Sequence, residues 1–320
     1  MVTVGQAPTL DQIREAQKRI APFVHRTPIY SSELLNAHCD AHLFFKCENL
    51  QKVGAFKARG AINAVFSLSE QQAFRGVATH SSGNHGAALA MAAGRRGIAA
   101  HIVMPDNAPA AKKAAVAAYG ATIITCKPTL LAREEALAEV VSRTAAHVVH
   151  PYHDSRVIAG QGTVGLEILE QVKELDAVLV PVGGGGLLAG VAIAVKTINP
   201  KIEVVAVEPA GADDAFRSFG SGRLVTQTSP DTIADGLLTS LGELNFEIIQ
   251  SHVDTIITVQ DASIVEAMKL QWSRLKTVVE PSGAVSFAGV LEHADRFCNR
   301  RVAIVISGGN LDLDKLPWQQ

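Results

Sequence analysis

Val178-Leu179-Val180-Pro181-Val182-Gly183-Gly184-Gly185-Gly186-Leu187-Leu188-Ala189-Gly190 decides how this chain is read. The stretch lies in an uncharged segment, 177–195, long enough to raise the question of a membrane span. Pro181 and four consecutive glycines argue against that, because neither continues a helix, and the segment reads instead as strand, glycine loop and helix. Backbone amides with no side chains in the way, placed at the start of a helix, form a cup for a phosphate. The same residues match G-x-G-x-x-A at Gly184, Gly186 and Ala189, with Glu208 near the end of the next apolar run. That spacing keeps a nicotinamide dinucleotide reading open, although the loop falls late in the chain rather than in a first strand–helix unit.

The rest of the chain alternates in the same manner. Short apolar runs at 43–45, 77–79, 102–104, 122–125, 178–182, 204–207 and 302–306 are mostly separated by helical patterns, which predicts an α/β fold with parallel strands. Thr9-Leu10-Asp11-Gln12 predicts a capping box opening a helix that buries Ile13, Ala16 and Ile20. The alanine-rich run 76–148 carries its own strand–helix repeats and reads as a smaller domain, inserted into a larger one made of 1–75 and 149–320.

Composition narrows the function classes. The 320 residues are 48% hydrophobic and 19% charged, with a net charge of −2, so no field attracts nucleic acid or an anionic membrane. Small neutral or zwitterionic substrates suit such a chain better. Cys39, Cys47, Cys126 and Cys298 form no C-x-x-C pair, and Met1-Val2-Thr3-Val4 opens no secretory leader, so a reducing cytoplasmic setting is expected.

Three loops carry the chemistry. In Gly54-Ala55-Phe56-Lys57-Ala58-Arg59-Gly60 a lysine stands among small and apolar neighbours; losing hydration lowers its pKa and leaves an amine able to attack a carbonyl carbon. Ser81-Ser82-Gly83-Asn84-His85-Gly86 follows an apolar run and offers hydroxyls, an amide and helix-start N–H groups. Ser307-Gly308-Gly309-Asn310 follows the last run, placing a serine where it can face a ring nitrogen.

GAFKARGA around Lys57, HSSGNHG at 80–86, AGQGT at 159–163, VPVGGGGLLAG at 180–190 and ISGGN at 306–310 together resemble the serine racemase and serine/threonine dehydratase family. The resemblance covers nearly the whole chain. HPYHDSRV at 150–157, ADDAFRSF at 212–219 and LDLDKLPW at 311–318 look similar to bacterial members that dehydrate 3-hydroxyaspartate. It implies a pyridoxal 5'-phosphate enzyme of fold type II, like the tryptophan synthase β-chain, with two open parallel-sheet domains and the cofactor between them.

By that resemblance Lys57 would hold the cofactor as a Schiff base, Gly183, Gly184, Gly185 and Gly186 its phosphate, Asn84 its ring hydroxyl and Ser307 its pyridine nitrogen, with Phe56, Leu187, Gly236 and Glu280 lining the pocket. Lys57 would take the Cα proton and Ser82 would serve the opposite face, so dehydration and racemisation share one course. Ser81, Ser82, Asn84, His85, Arg133 and Thr239 would meet the substrate, with Arg133 reading a second carboxylate. Glu208, Asp214 and the Ala212 carbonyl resemble a divalent-cation site suited to Mg²⁺, or to Ca²⁺ or Mn²⁺. His147, His150 and His153 are read as structural or peripheral, since Pro151 interrupts any helix that would align them. Ala87 stands where nucleotide-activated animal relatives carry glutamine, so nucleotide activation is not expected. The functions carried forward are dehydration of small β-hydroxy amino acids with linked serine racemisation in a homodimer, a nicotinamide oxidoreductase, and a noncatalytic amino-acid-binding module.

Overall fold

The computed structural model describes residues 5–81, 83–108 and 110–319; Ser82 and the first four residues, on which two of the readings above rest, lie outside them. Strands within that range are β1 (Ile29–Tyr30), β2 (His42–Cys47), β3 (Val77–His80), β4 (Ala100–Pro105), β5 (Thr122–Cys126), β6 (His147–Val148), β7 (Ala177–Pro181), β8 (Glu203–Pro209), β9 (Thr255–Val259) and β10 (Arg301–Ile306). They form two sheets, ordered β1-β2-β10-β7-β8-β9 and β5-β4-β3-β6. Only the β1–β2 pairing is antiparallel among them.

The two central strands of the larger sheet, β10 and β7, are apolar and buried along nearly their whole length, as parallel strands covered by helices on both faces must be. Each of the seven apolar runs falls within or overlaps a strand. The expected opening helix is Leu10–Ile20; Thr9 and Gln12 form the capping box, and Ile13, Ala16 and Ile20 are buried. The uncharged segment resolves into β7, a glycine loop and the helix Gly186–Ile198. Among the described residues no helix is long and apolar enough to cross a membrane.

Four helices pack together behind the segments that carry the site. Lys57–Phe66 packs on both Asn84–Arg96 and Ser155–Gln171, and the last of these packs on Gly186–Ile198. Their approach is close enough to need glycine: a Cβ on Gly160 would lie 2.6 Å from the Arg59 carbonyl oxygen and 2.7 Å from Gly60 Cα.

Candidate active site

Loops at the carboxyl ends of β3, β7 and β10 converge on the segment that carries Lys57, as open parallel sheets favour. That segment is pinned to the loop after β10. Ala55 bridges Gly308, the Phe56 amide donates to the Ser307 carbonyl at 3.1 Å, and the Gly309 amide donates to the Gly54 carbonyl at 2.9 Å. The chain can turn here because Gly54 adopts φ +69°; Val53, at φ 55°, shares the left-handed region.

Lys57 opens its helix, and its Nζ donates to the Pro151 carbonyl at 2.8 Å, 5.0 Å from the centre of the Phe56 ring. Loss of hydration lowers its pKa from 10.5 to about 8, so a substantial fraction of the amine is unprotonated near neutrality. Around it, burial drives His85 and His150 down to about 3, and the Lys57 charge adds to both shifts. His85 Nε2 lies 3.1 Å from the Val149 carbonyl and therefore carries the proton, which leaves its buried Nδ1 an acceptor without a partner. His150 Nδ1 accepts from the His153 and Tyr152 amides at 3.0 and 3.4 Å, so its proton sits on Nε2. His150 thus belongs to the surroundings of Lys57. Of the structural or peripheral role expected of it, its bonds to the strap amides support the structural one, and the pairing of β6 with β3 brings the strap 150–153 beside the helix that starts at Lys57.

The glycine loop is packed from behind. A Cβ on Gly183 would meet Leu237; on Gly184 it would fall 2.5 Å from the Tyr152 ring, and Gly186 faces Tyr152 too. Gly185, at φ +87°, caps the helix with no side-chain bond, so the first-turn amides of Gly186–Ile198 stay free to bind an anion. Asn245 Nδ2 holds the loop and the strap together by donating to the Gly184 and Tyr152 carbonyls. Leu187, in the first helical turn, is buried, and Thr239 stands beside the Tyr152 phenol.

At the opposite wall Asn84 Nδ2 donates to Glu280 Oε1 at 2.9 Å, and Asn310 donates its amide N–H to Glu280 Oε2 and its Nδ2 to Asn84 Oδ1, each at 2.9 Å. Burial raises Glu280 to about 8; Asp235 raises it further, while the bonds from Asn310 and Asn84 and the Lys112 charge oppose the rise. Ser307 Oγ donates to the Ser282 carbonyl at 3.3 Å, and Ser282 Oγ accepts from the Gly236 amide at 2.9 Å. Ser81 Oγ accepts from the Gly83 amide at 3.3 Å. Burial lowers the pKa of His80, with Glu134 opposing and Arg133, on the helix Leu130–Thr144, adding to the shift; the buried Nε of Arg133 has no partner.

The second cluster is acidic. Glu208 accepts the Ala215 and Phe216 amides at 3.0 and 2.8 Å, Asp214 Oδ2 accepts the Leu241 amide at 2.7 Å, and Asp214 Oδ1 is buried without a partner. Burial lifts Glu208 to about 8 and raises Asp214 as well. Among the described residues no group of three or more His, Cys, Asp and Glu could hold a metal, so any cation here would rest on two carboxylates and the carbonyl of Ala212, itself buried in the turn between them. Two desolvated acids, one with an orphaned oxygen, fit such a hard cation. The same geometry removes the dinucleotide reading. Glu208 is fully buried, with no surface that a ribose could approach, although each of its oxygens keeps a lone pair beyond the helix amide it accepts.

A free-ended helix behind four glycines and a partly desolvated amine opposite fit a phosphate-bearing aldehyde. Residues 20–308 match the family described as pyridoxal-phosphate dependent enzyme. The chain is 50% identical to a beta-hydroxyaspartate dehydratase from Paracoccus denitrificans, over 97% of this chain and 99% of that protein. The crystal structure of serine racemase from Dictyostelium discoideum superposes with a TM-score of 0.92 at 48% identity, covering 96% of this chain and 99% of that one. The crystal structure of T.th. threonine deaminase superposes equally well, at 0.92 and 45% identity, covering 96% and 99% of the two chains. With its fold, its lysine and its glycine loop accounted for together, the chain belongs to the pyridoxal-phosphate dependent enzymes.

Proposed function

We propose that this enzyme removes water from small β-hydroxy amino acids, 3-hydroxyaspartate foremost, and racemises serine as a linked activity. The observation that carries the reading is Lys57 itself, a buried lysine with its pKa lowered to about 8, whose Nζ bonds the Pro151 carbonyl in the strap against which Gly184 and Gly186 pack. Pyridoxal phosphate, when bound, supplies the electron sink that makes a Cα proton removable. The amides of 183–186 would hold its phosphate, Asn84 and Ser307 its ring, with Phe56, Leu187, Gly236 and Glu280 around it. The Lys57 amine would then take the Cα proton, the Cβ–O bond would break, and the departing hydroxyl would take up one proton, balancing the one removed from Cα, and leave as water. The enamine that remains hydrolyses to a keto acid and ammonia. For inversion, a proton must return from the other face, a role given to Ser82 on the strength of the motif it shares with the racemases.

Substrate contacts are proposed for Ser81, Ser82, Asn84, His85, Arg133 and Thr239. The unpartnered Arg133 Nε favours a dicarboxylic substrate, because a guanidinium grips a second carboxylate at two points. Glu208, Ala212 and Asp214 are proposed to hold Mg²⁺, or Ca²⁺ or Mn²⁺ in its place. The proposal extends to two domains, 1–75 with 149–320 and 76–148, for which the two separate sheets are the support. It also extends to a cytoplasmic homodimer, the commonest assembly for an enzyme of this kind.

The test is keto acid and ammonia release from 3-hydroxyaspartate, serine and threonine, together with D-serine formed from L-serine. Lys57→Ala should be inactive in all four, and Ser82→Ala should lose inversion while keeping elimination from one enantiomer. Absence of ammonia from all three substrates, with the cofactor bound, would refute the reading.

A further inference from the structure

Beneath Lys57 lies a cluster of charges that the chemistry above does not use. Arg59, in the first turn of the same helix, is fully buried. Its Nε and Nη2 donate to the two oxygens of Glu48 at 2.7 and 2.8 Å, and its Nη1 and Nη2 donate to the two oxygens of Glu167 at 2.7 and 2.9 Å. Nη1 also reaches Thr163 Oγ1 at 3.2 Å. Lys46 Nζ completes the group on Glu167 Oε2, the Thr27 carbonyl and Gln171, at 2.5, 2.8 and 2.8 Å.

Stability alone is a poor explanation for four buried charges. Desolvation cancels much of their attraction, and well-packed apolar side chains of equal volume often stabilise as much or more. What this network does supply is direction, since a guanidinium gripped at two points on each of two carboxylates has one geometry.

That direction bears on Lys57. Glu167 and Thr163 belong to the helix Ser155–Gln171, and Pro151, whose carbonyl accepts from Lys57 Nζ, lies in the strap that leads into it. Lys57 thus opens one of the two helices that Arg59 bolts together, and Pro151, its hydrogen-bond partner, lies in the strap that leads into the other. The glycine contact at Gly160 lets the helices touch, and the Gly60 amide bond to Gln161 Oε1, at 3.2 Å, and the Asn63 Nδ2 bond to the Arg156 carbonyl, at 2.7 Å, each join them at a single point. We propose that Arg59, through Glu167, Glu48 and Thr163, is a positioning residue that sets the register of these helices and so holds the Lys57 amine at its place in the cleft. The inference rests on Lys57 being the cofactor lysine.

The test uses the full-length enzyme, loaded and stripped of cofactor. In the stripped form, the rate of Lys57 modification by trinitrobenzenesulfonate is followed against pH by peptide mapping; the wild type should show a midpoint near 8. The titratable groups that face Lys57, His85 and His150, are pushed to about 3 and stay neutral across that range. Arg59→Lys keeps the charge but loses the two-point grip, Thr163→Val removes the bond from Arg59 Nη1 and the hydroxyl's own bond to the Gly160 carbonyl at constant shape, and Ile62→Ala, at a buried site on the same helix, loses packing only.

Arg59→Lys should move the midpoint toward the ordinary lysine value and weaken cofactor retention. It should lower kcat about 10- to 100-fold, with KM changed by less than about threefold, as a misplaced catalytic group does. Thr163→Val should shift the midpoint the same way by less, and Ile62→Ala should lower Tm without shifting it. If Arg59→Lys and Thr163→Val lose stability but keep the Lys57 midpoint, the network is structural and the proposal falls. It falls equally if neither variant folds. A borohydride label on a lysine other than Lys57 in the loaded wild type defeats the cofactor assignment separately.

Discussion

Asn84 Nδ2 and Glu280 Oε1 stand 2.9 Å apart, a bond across 196 positions of sequence that ties the helix after β3 to the wall beneath β10. Asn84 therefore meets the cleft already oriented, with Asn310 donating to its other amide atom.

The acid in that bond gives a pH signature. Burial raises Glu280 from 4.5 to about 8, so the folded chain keeps a proton that the unfolded chain releases. Unfolding free energy should consequently fall as pH rises from about 4.5 to about 8. In the cation-free protein Glu208, raised likewise to about 8, adds a slope of the same sign. Glu280→Gln should flatten the dependence of Tm on pH in part, and Glu280→Ala should cost about 1–3 kcal/mol by leaving Asn84 and Asn310 donors unpaired. A Gln variant with an unchanged slope would show that Glu280 is ionised in the fold.

Gly184→Ala should act on the cofactor loop through Tyr152. The new methyl would stand 2.5 Å from that ring, and relieving the clash costs about 1–3 kcal/mol while displacing the strap that carries the Pro151 carbonyl. Equilibrium dialysis should find weaker cofactor binding, and the loss of visible absorbance on dilution should be faster than in the wild type. Wild-type retention would mean that Tyr152 swings aside freely.

Cation removal should be felt at Glu208 and Asp214. EDTA should lower Tm and Mg²⁺ restore it, by about 2.7 kcal/mol at a hundredfold excess over Kd, and Asp214→Asn should abolish the response. Equal melting curves with and without chelator leave the two acids as a helix cap and nothing more.

Arg133→Ala should divide the substrates. Losing a charge-assisted pair of about 2–4 kcal/mol lowers kcat/KM for 3-hydroxyaspartate roughly 30- to 1000-fold, with a much smaller effect on serine. A parallel loss on both would make Arg133 structural and withdraw the preference for a second carboxylate.

Local chemistry made the lysine, the glycine loop and most of the strands legible, because each is written in consecutive residues. Strands β1 and β6 escape such a reading since each has two residues, whereas β9 is missed although its Thr255-Ile256-Ile257-Thr258 repeats the pattern of β5. Tertiary pairings are a different matter. Nothing near Lys57 announces the Pro151 carbonyl, and nothing near Gly184 announces Tyr152; both partners come from one strap whose position depends on β6 joining β3. Arg59, Glu48 and Glu167 read singly as surface charges, and only their meeting in the interior gives them a role.

The order β1-β2-β10-β7-β8-β9 has a consequence for how the enzyme comes to exist. The last strand of the described chain fills the gap between β2 and β7, aligning Ile306 with Cys47 and Ile304 with Leu179. During synthesis β2 and β7 emerge with open apolar edges and wait until β10 is made, whereas the four strands from β3 to β6 are complete far earlier. The lysine is translated early, but the serine loop that braces it comes only after β10. A nascent chain stalled short of β10 is thus an aggregation hazard that cannot yet hold its cofactor, and supplying cofactor cannot rescue it.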